Sequence, residues 1–158
     1  MEIIKYGVEI NDSKLNVLVK EDTFHYESEN FRKPQVIVDM LNALFHAERQ
    51  AEEHIWMLAM NNSCEVLGAF EVCHGSVSES RVHMREIFVR LCLCGASGFV
   101  LAHNHPGNHL VPSEPDIRMT ERVSEAAALM DIKLFDHIII CKNGYVSFAE
   151  EGLIGNKQ

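Results

Sequence analysis

The segment Ala102-His103-Asn104-His105-Pro106, followed by Ser113-Glu114-Pro115-Asp116, concentrates residues that can do chemistry. In an extended strand, residues two apart point to the same side, so His103 and His105 can aim both imidazoles into one volume. Asp116 stands at the start of a following helix, and a strand–loop–helix return can carry its carboxylate back beside the strand end. Two histidines and one carboxylate make a catalytic zinc set with a coordination position left open, whereas structural zinc sites are closed by four ligands and richer in cysteine. Spacing alone therefore predicts Zn2+ and metal-assisted hydrolysis. Ser113-x-x-Asp116 also reads as a capping box, a second role for the same carboxylate that is compatible with the first. His109, in the same loop, is a weaker donor candidate. His25, His46, His54, His74 and His83 read as core or surface residues.

These side chains need a scaffold, and the pattern supplies one. Pro34 suits an early helical position, and Val36, Ile37, Met40, Leu41, Leu44 and Phe45 continue at helical spacing to about Arg49. Strand-like runs at 54–60 and 65–72 flank Asn61-Asn62-Ser63, a hairpin signal. A polar loop at 75–80 offers Ser80 as a helix cap. Val82, Arg85, Ile87, Phe88 and Leu91 then predict a second helix stopped by Gly95. The apolar run 98–102 has the profile of a buried strand and leads straight into the histidine segment. Ser113 opens a third helix carrying Ile117, Val123, Ala126, Ala127 and Met130. A strand at 137–141, an Asn143-Gly144 turn and a strand at 145–148 close the chain. The first 30 residues hold one expected strand, 15–20, followed by a polar stretch. This order predicts an α/β (α+β) fold, a mixed sheet flanked by helices.

Composition narrows the function. The chain has 158 residues, 47% of them hydrophobic, enough for one domain with its own core. No apolar run approaches the roughly 20 residues that span a bilayer, so no membrane association is expected. The N-terminus lacks the basic and apolar regions of a secretory signal. Five cysteines, an odd number in apolar surroundings, fit reduced thiols in the cytoplasm. Cys92-x-Cys94 has the wrong spacing for a metal knuckle and reads as packing. With 23 acidic against 14 basic residues the net charge is −9, which disfavours duplex nucleic acid as a partner. The densest basic group is Arg81, Arg85 and Arg90.

His103-x-His105-Pro106 followed by Ser113-x-x-Asp116 resembles the JAMM motif of MPN-type metallopeptidases. More closely, the chain resembles the RadC family of bacteria. The likeness runs over roughly residues 34–153, through Glu52-Glu53-His54-Ile55-Trp56, the loop at Gly75-Ser76, Val82-His83-Met84-Arg85-Glu86, the His103 segment, Asp136-His137-Ile138 and the closing Tyr145-Val146-Ser147. The resemblance implies an MPN/JAMM-type (cytidine-deaminase-like) domain over 34–154, preceded by an N-terminal strand and extension over 1–33. It implies zinc on His103, His105 and Asp116. Glu53, with Glu52 as the alternative, takes the family's general-base role, and Ser113 its serine role. It further implies a protein or peptide substrate cleaved at an amide or isopeptide bond. The competing reading of the same family is a non-catalytic accessory module associated with DNA repair. Three departures stand out: Gly107 where the family's loop has serine, Met84 where proline is usual, and no helix-hairpin-helix pattern in the first 30 residues.

Overall fold

The computed structural model describes residues 1–27, 30–75 and 82–154. The expected loop at 75–80 and Arg81 of the basic group lie outside the described residues except for Gly75; the second helix begins at Met84 with His83 at its cap position, so Ser80 is not its cap. The elements in chain order are β1 (Glu2–Ile10), β2 (Asn16–His25), α1 (Pro34–Phe45), a short 3-10 turn (Ala47–Arg49), β3 (Glu53–Met60), β4 (Val66–Gly75), α2 (Met84–Leu93), β5 (Gly98–Asn104), α3 (Glu114–Leu129), β6 (Lys133–Cys141) and β7 (Gly144–Ser147). They form a seven-stranded mixed sheet in the order β2-β1-β4-β3-β5-β6-β7. The pairs β1–β4 and β5–β6 are parallel and the others antiparallel. The expected mixed α/β architecture is the one observed.

Two elements differ from expectation. The N-terminal region holds two strands rather than one, because the run before Ile10 pairs with β2 along its length and with β4 at Lys5. The polar residues up to His25 complete β2, so ladder hydrogen bonding at the sheet edge, rather than burial, decides their conformation. Ile3 is the exception within β1, fully buried in the same core cluster as Phe31 and Trp56. The first helix stops at Phe45 because His46 adopts a left-handed conformation (φ 51°) and returns its N–H to the Asn42 carbonyl.

The sheet has a core on each face, and strand alternation sorts residues between them. Along β3 and β5, Trp56, Leu58, Val100 and Ala102 face α1, which contributes Ile37, Met40 and Leu41. Ile55, Met57, Phe99 and Leu101 face the opposite side, with Ile87 and Leu91 of α2 and Val123 and Ala127 of α3. By the same parity, Glu53 and His103 are directed to the α2–α3 face. Gly95, with φ 65°, ends α2 as its position in the sequence suggested.

β6 breaks the alternation. Phe99 opposes Leu134, but Val100 opposes Asp136, leaving Phe135 as the extra residue of a bulge. Leu134 faces α3 and Phe135 joins the α1 side. The bulge shifts the parity that follows, which is how His137 comes to face the site rather than α1. Gly98 makes room for this bulge: a β-carbon there would collide with the Phe135 ring and lie 3.0 Å from the Lys133 carbonyl oxygen. Gly98→Ala is therefore expected to lower stability by about 1–3 kcal/mol through overpacking, read by thermal or urea unfolding. An unchanged transition would contradict the role given to this glycine.

Candidate metal centre

His103 stands near the end of β5, a strand buried along its whole length, and is itself fully buried. His105 lies one residue beyond the strand and is partly exposed; its N–H is fixed by a hydrogen bond to the Ile140 carbonyl. Their Nε2 atoms are 3.0 Å apart. Asp116 arrives from the first turn of α3, with Oδ1 3.3 Å from His103 Nε2 and Oδ2 3.4 Å from His105 Nε2. Glu53, at the start of β3, is buried with Oε1 3.9 Å from His103 Nε2. One donor atom from each of the four residues lies within 4.8 Å of the others. The structure thus brings together Glu53, His103, His105 and Asp116. The separations between the two imidazoles and the aspartate match the edge of about 3.3 Å for a tetrahedron with zinc–ligand bonds near 2.0–2.1 Å.

Hydrogen bonds behind the rings decide which nitrogens carry protons, an assignment inferred from the network. His105 Nδ1 faces the His109 carbonyl oxygen at 2.7 Å, so it donates and leaves Nε2 with a lone pair in the neutral ring. His103 Nδ1 faces His137 Nε2 at 2.8 Å. Thr120 settles that contact. Its hydroxyl donates to the Asp116 carbonyl oxygen at 2.7 Å, so at 2.6 Å it must accept from His137 Nδ1–H. His137 Nε2 is then an acceptor, and His103 donates to it through Nδ1. Burial, the largest cause, holds His137 well below the ordinary histidine range, so the ring stays neutral. Two imidazole lone pairs and a carboxylate consequently point into one small volume. A divalent cation fits that donor set.

Asp116 forms the capping box read from the sequence and is placed where it could also hold a metal ion. Its Oδ2 accepts from the Ser113 N–H at 2.8 Å and the Ser113 hydroxyl at 2.6 Å, completing the capping box while both oxygens remain near the histidines. Burial pushes the Asp116 carboxyl up, but His103, His105 and Ser113 outweigh it and hold the group well below the usual carboxylate range. Hydrogen bonding to Asp116 raises His105, against the opposing effect of burial. The Ser113 hydroxyl hydrogen is committed to Asp116. The His109 side chain is exposed, and its contribution is the backbone carbonyl that orients His105. Cys92 and Cys94 join no donor cluster among the described residues.

Glu53 and Glu52 are separated by their surroundings. Glu53 is buried at the site, whereas the Glu52 side chain is exposed and its backbone carbonyl accepts from Asn104 Nδ2 at 2.9 Å. Asn104 also accepts from the His54 N–H at 2.7 Å. The asparagine between the two histidines therefore clamps both peptide groups flanking Glu53, a role the sequence did not announce. His137 was also missed; the available signal was an ionisable ring heading the apolar run Ile138-Ile139-Ile140. His54 and His74, read as ordinary core or surface residues, meet at Glu71.

A mixed sheet that delivers two histidines from a strand end and an aspartate from the next helix cap defines a JAB/MPN-type domain. Residues 31–153 match the family described as the RadC-like JAB domain, and the chain belongs to that family. It is 41% identical over 104 residues to a UPF0758 protein of Porphyromonas gingivalis, covering 65% of this chain and 46% of the relative. It is also 34% identical over 128 residues to a UPF0758 protein of Pelobacter propionicus, covering 80% and 54% respectively. The chain spans about half the length of the curated relatives it matches.

If His137 holds His103 in its metal-ready tautomer, His137→Leu should weaken zinc binding about 10–100-fold in chelator competition. His137→Gln, which restores an acceptor, should recover part of the loss. Equal affinity in the leucine variant and the wild type would exclude this role.

Proposed function

We propose that the chain is a zinc-dependent hydrolase acting on amide or isopeptide bonds of a protein or peptide substrate. The observation that carries the reading is the convergence of two imidazole nitrogens and a carboxylate beside the buried Glu53. His103, His105 and Asp116 would hold the ion. When bound, zinc supplies a Lewis acid that lowers the pKa of water towards about 7 and polarises a carbonyl.

Glu53 takes a proton from the attacking water as the oxygen–carbon bond forms, then passes it to the nitrogen as the carbon–nitrogen bond breaks. Its position is set by the Asn104 clamp, so the base does not depend on a mobile loop. Ser113 is assigned a hydrogen bond to the developing oxyanion, a contribution of about 2.7–4 kcal/mol for such a donor. To give it, the hydroxyl must turn away from Asp116 Oδ2. Gly107 offers no hydroxyl of its own beside the one of Ser113, and a β-carbon there would press on the His109 ring at 3.2 Å. A non-catalytic accessory module would leave the buried Glu53 without a task. Pairing of Arg90 with Glu86 also removes one cation from the group a nucleic acid would need. No helix among the described residues is long and apolar enough to cross a membrane. Free thiols at all five cysteines support placement in the cytoplasm.

The test uses zinc-loaded protein against a panel of quenched-fluorescence peptides and isopeptide-linked conjugates. Glu53→Gln should retain zinc at the centre and lose about 10²–10⁴-fold in turnover. Undiminished hydrolysis in that variant would remove Glu53 from the mechanism, and failure of the centre to take up zinc would overturn the reading itself.

Protons compete with the ion for the histidines. Zinc affinity is expected to fall as pH drops through the imidazole range near about 6.5. Because Asp116 raises His105 in the metal-free protein, this competition begins above the ordinary histidine value. Zinc uptake followed from about pH 8 down to about pH 4, across the range in which imidazoles protonate, should show that loss; full occupancy at the acid end would contradict two-histidine ligation.

A further inference from the structure

A second group of metal-ligating side chains meets on the other face of β3 from Glu53. His54 Nδ1 and His74 Nδ1 lie 3.1 and 3.2 Å from the same oxygen, Glu71 Oε1. One donor atom from each of the three residues lies within 4.8 Å of the others. The strand register shows how they come together. His54 opposes His74 and Ile55 opposes Cys73, but Trp56 opposes Glu71, so Val72 is the extra residue of a bulge in β4. In a regular strand, residues three apart face opposite sides. The bulge cancels that rule and puts Glu71 and His74 on the face that carries His54.

We propose that His54, Glu71 and His74 form a second metal site, for a divalent transition-metal ion of the zinc class. Two imidazoles and a carboxylate suit such an ion. The two imidazole–carboxylate separations lie within a few tenths of an ångström of the tetrahedral edge of about 3.3 Å for zinc, and the two imidazole donors lie within 4.8 Å of each other. One ligand is already fixed: His54 stacks on Trp56, with ring centroids 5.5 Å apart and planes 7° from parallel. Access is open, since the side chains of Glu71 and His74 are 30% and 64% exposed, leaving room for water to complete the coordination. A bound ion would cross-link β3 to β4 beside Glu53. A surface imidazole–carboxylate pair without metal would contribute little and take up no ion.

The site is independent of the hydrolase reading, and the experiment keeps the two apart. Metal-free protein is titrated with Zn2+ alone, with binding followed by calorimetry and by melting temperature. The wild type should bind two equivalents, His74→Ala one, His105→Ala one, and the double variant none. Zinc should raise the melting temperature of His105→Ala but not of the double variant. His54→Phe, which keeps the stack on Trp56, and Glu71→Gln should each behave like His74→Ala. If all three variants bind as much zinc as the wild type, or if His105→Ala binds none, the second site does not exist. One equivalent in the wild type, lost in His74→Ala and kept in His105→Ala, would sustain this site and overturn the hydrolase reading.

Discussion

Two imidazole nitrogens 3.0 Å apart, both unprotonated in their neutral rings and both within 3.4 Å of an ionised carboxylate, create a local excess of negative potential. Nothing in hydrophobic packing favours such a cluster, and a buried unpaired lone pair is costly. The arrangement persists because each ring is anchored from behind, His105 by the His109 carbonyl and His103 by His137. In the metal-free protein, a proton on His105 relieves the repulsion, which is the physical content of its raised pKa. A divalent cation would do the same more completely, and the hydrogen bonds around the site keep these three donors in place.

The scaffold meets that demand with its most rigid parts. β3 and β5 lie in the middle of the sheet and are buried on both faces, so the backbone carrying Glu53 and His103 has little freedom. Asn104 joins the two strand ends through side-chain bonds to the peptides on either side of Glu53. Thr120, one turn beyond Asp116 in α3, ties the helix that presents Asp116 to the histidine that orients His103. One hydroxyl group thereby couples the position of the carboxylate to the tautomer of the imidazole.

Much of this was legible in the residues. The apolar run 98–102 announced a buried strand leading into the histidines, although the strand continues through His103 to Asn104, and the Ser113-x-x-Asp116 spacing announced the helix cap that the structure shows. The central strands were readable because burial on both faces leaves a continuous apolar run. β1 was not, since it lies near the sheet margin with Ile3 as its one buried side chain, and it is held by ladder pairing to β2 and, at Lys5, to β4 rather than by an apolar run. His137 and Asn104 escaped for a related reason. Their roles depend on partners 34 and 50 residues away, and no local pattern encodes such contacts.

Bulges explain the rest of what periodicity could not. A strand's alternation is a rule about parity, and a single inserted residue reverses it for every residue downstream. In β6 the extra Phe135 turns His137 towards α3, where it becomes the anchor for His103. In β4 the extra Val72 brings Glu71 and His74 to one face, opposite His54. Both histidines would have been assigned to the wrong side of the sheet by counting. Two of the register shifts in the sheet therefore do the same work, one beneath the centre and one beside it, and in each case the price of an interrupted ladder is met by a polar side chain placed where the regular strand could not put it.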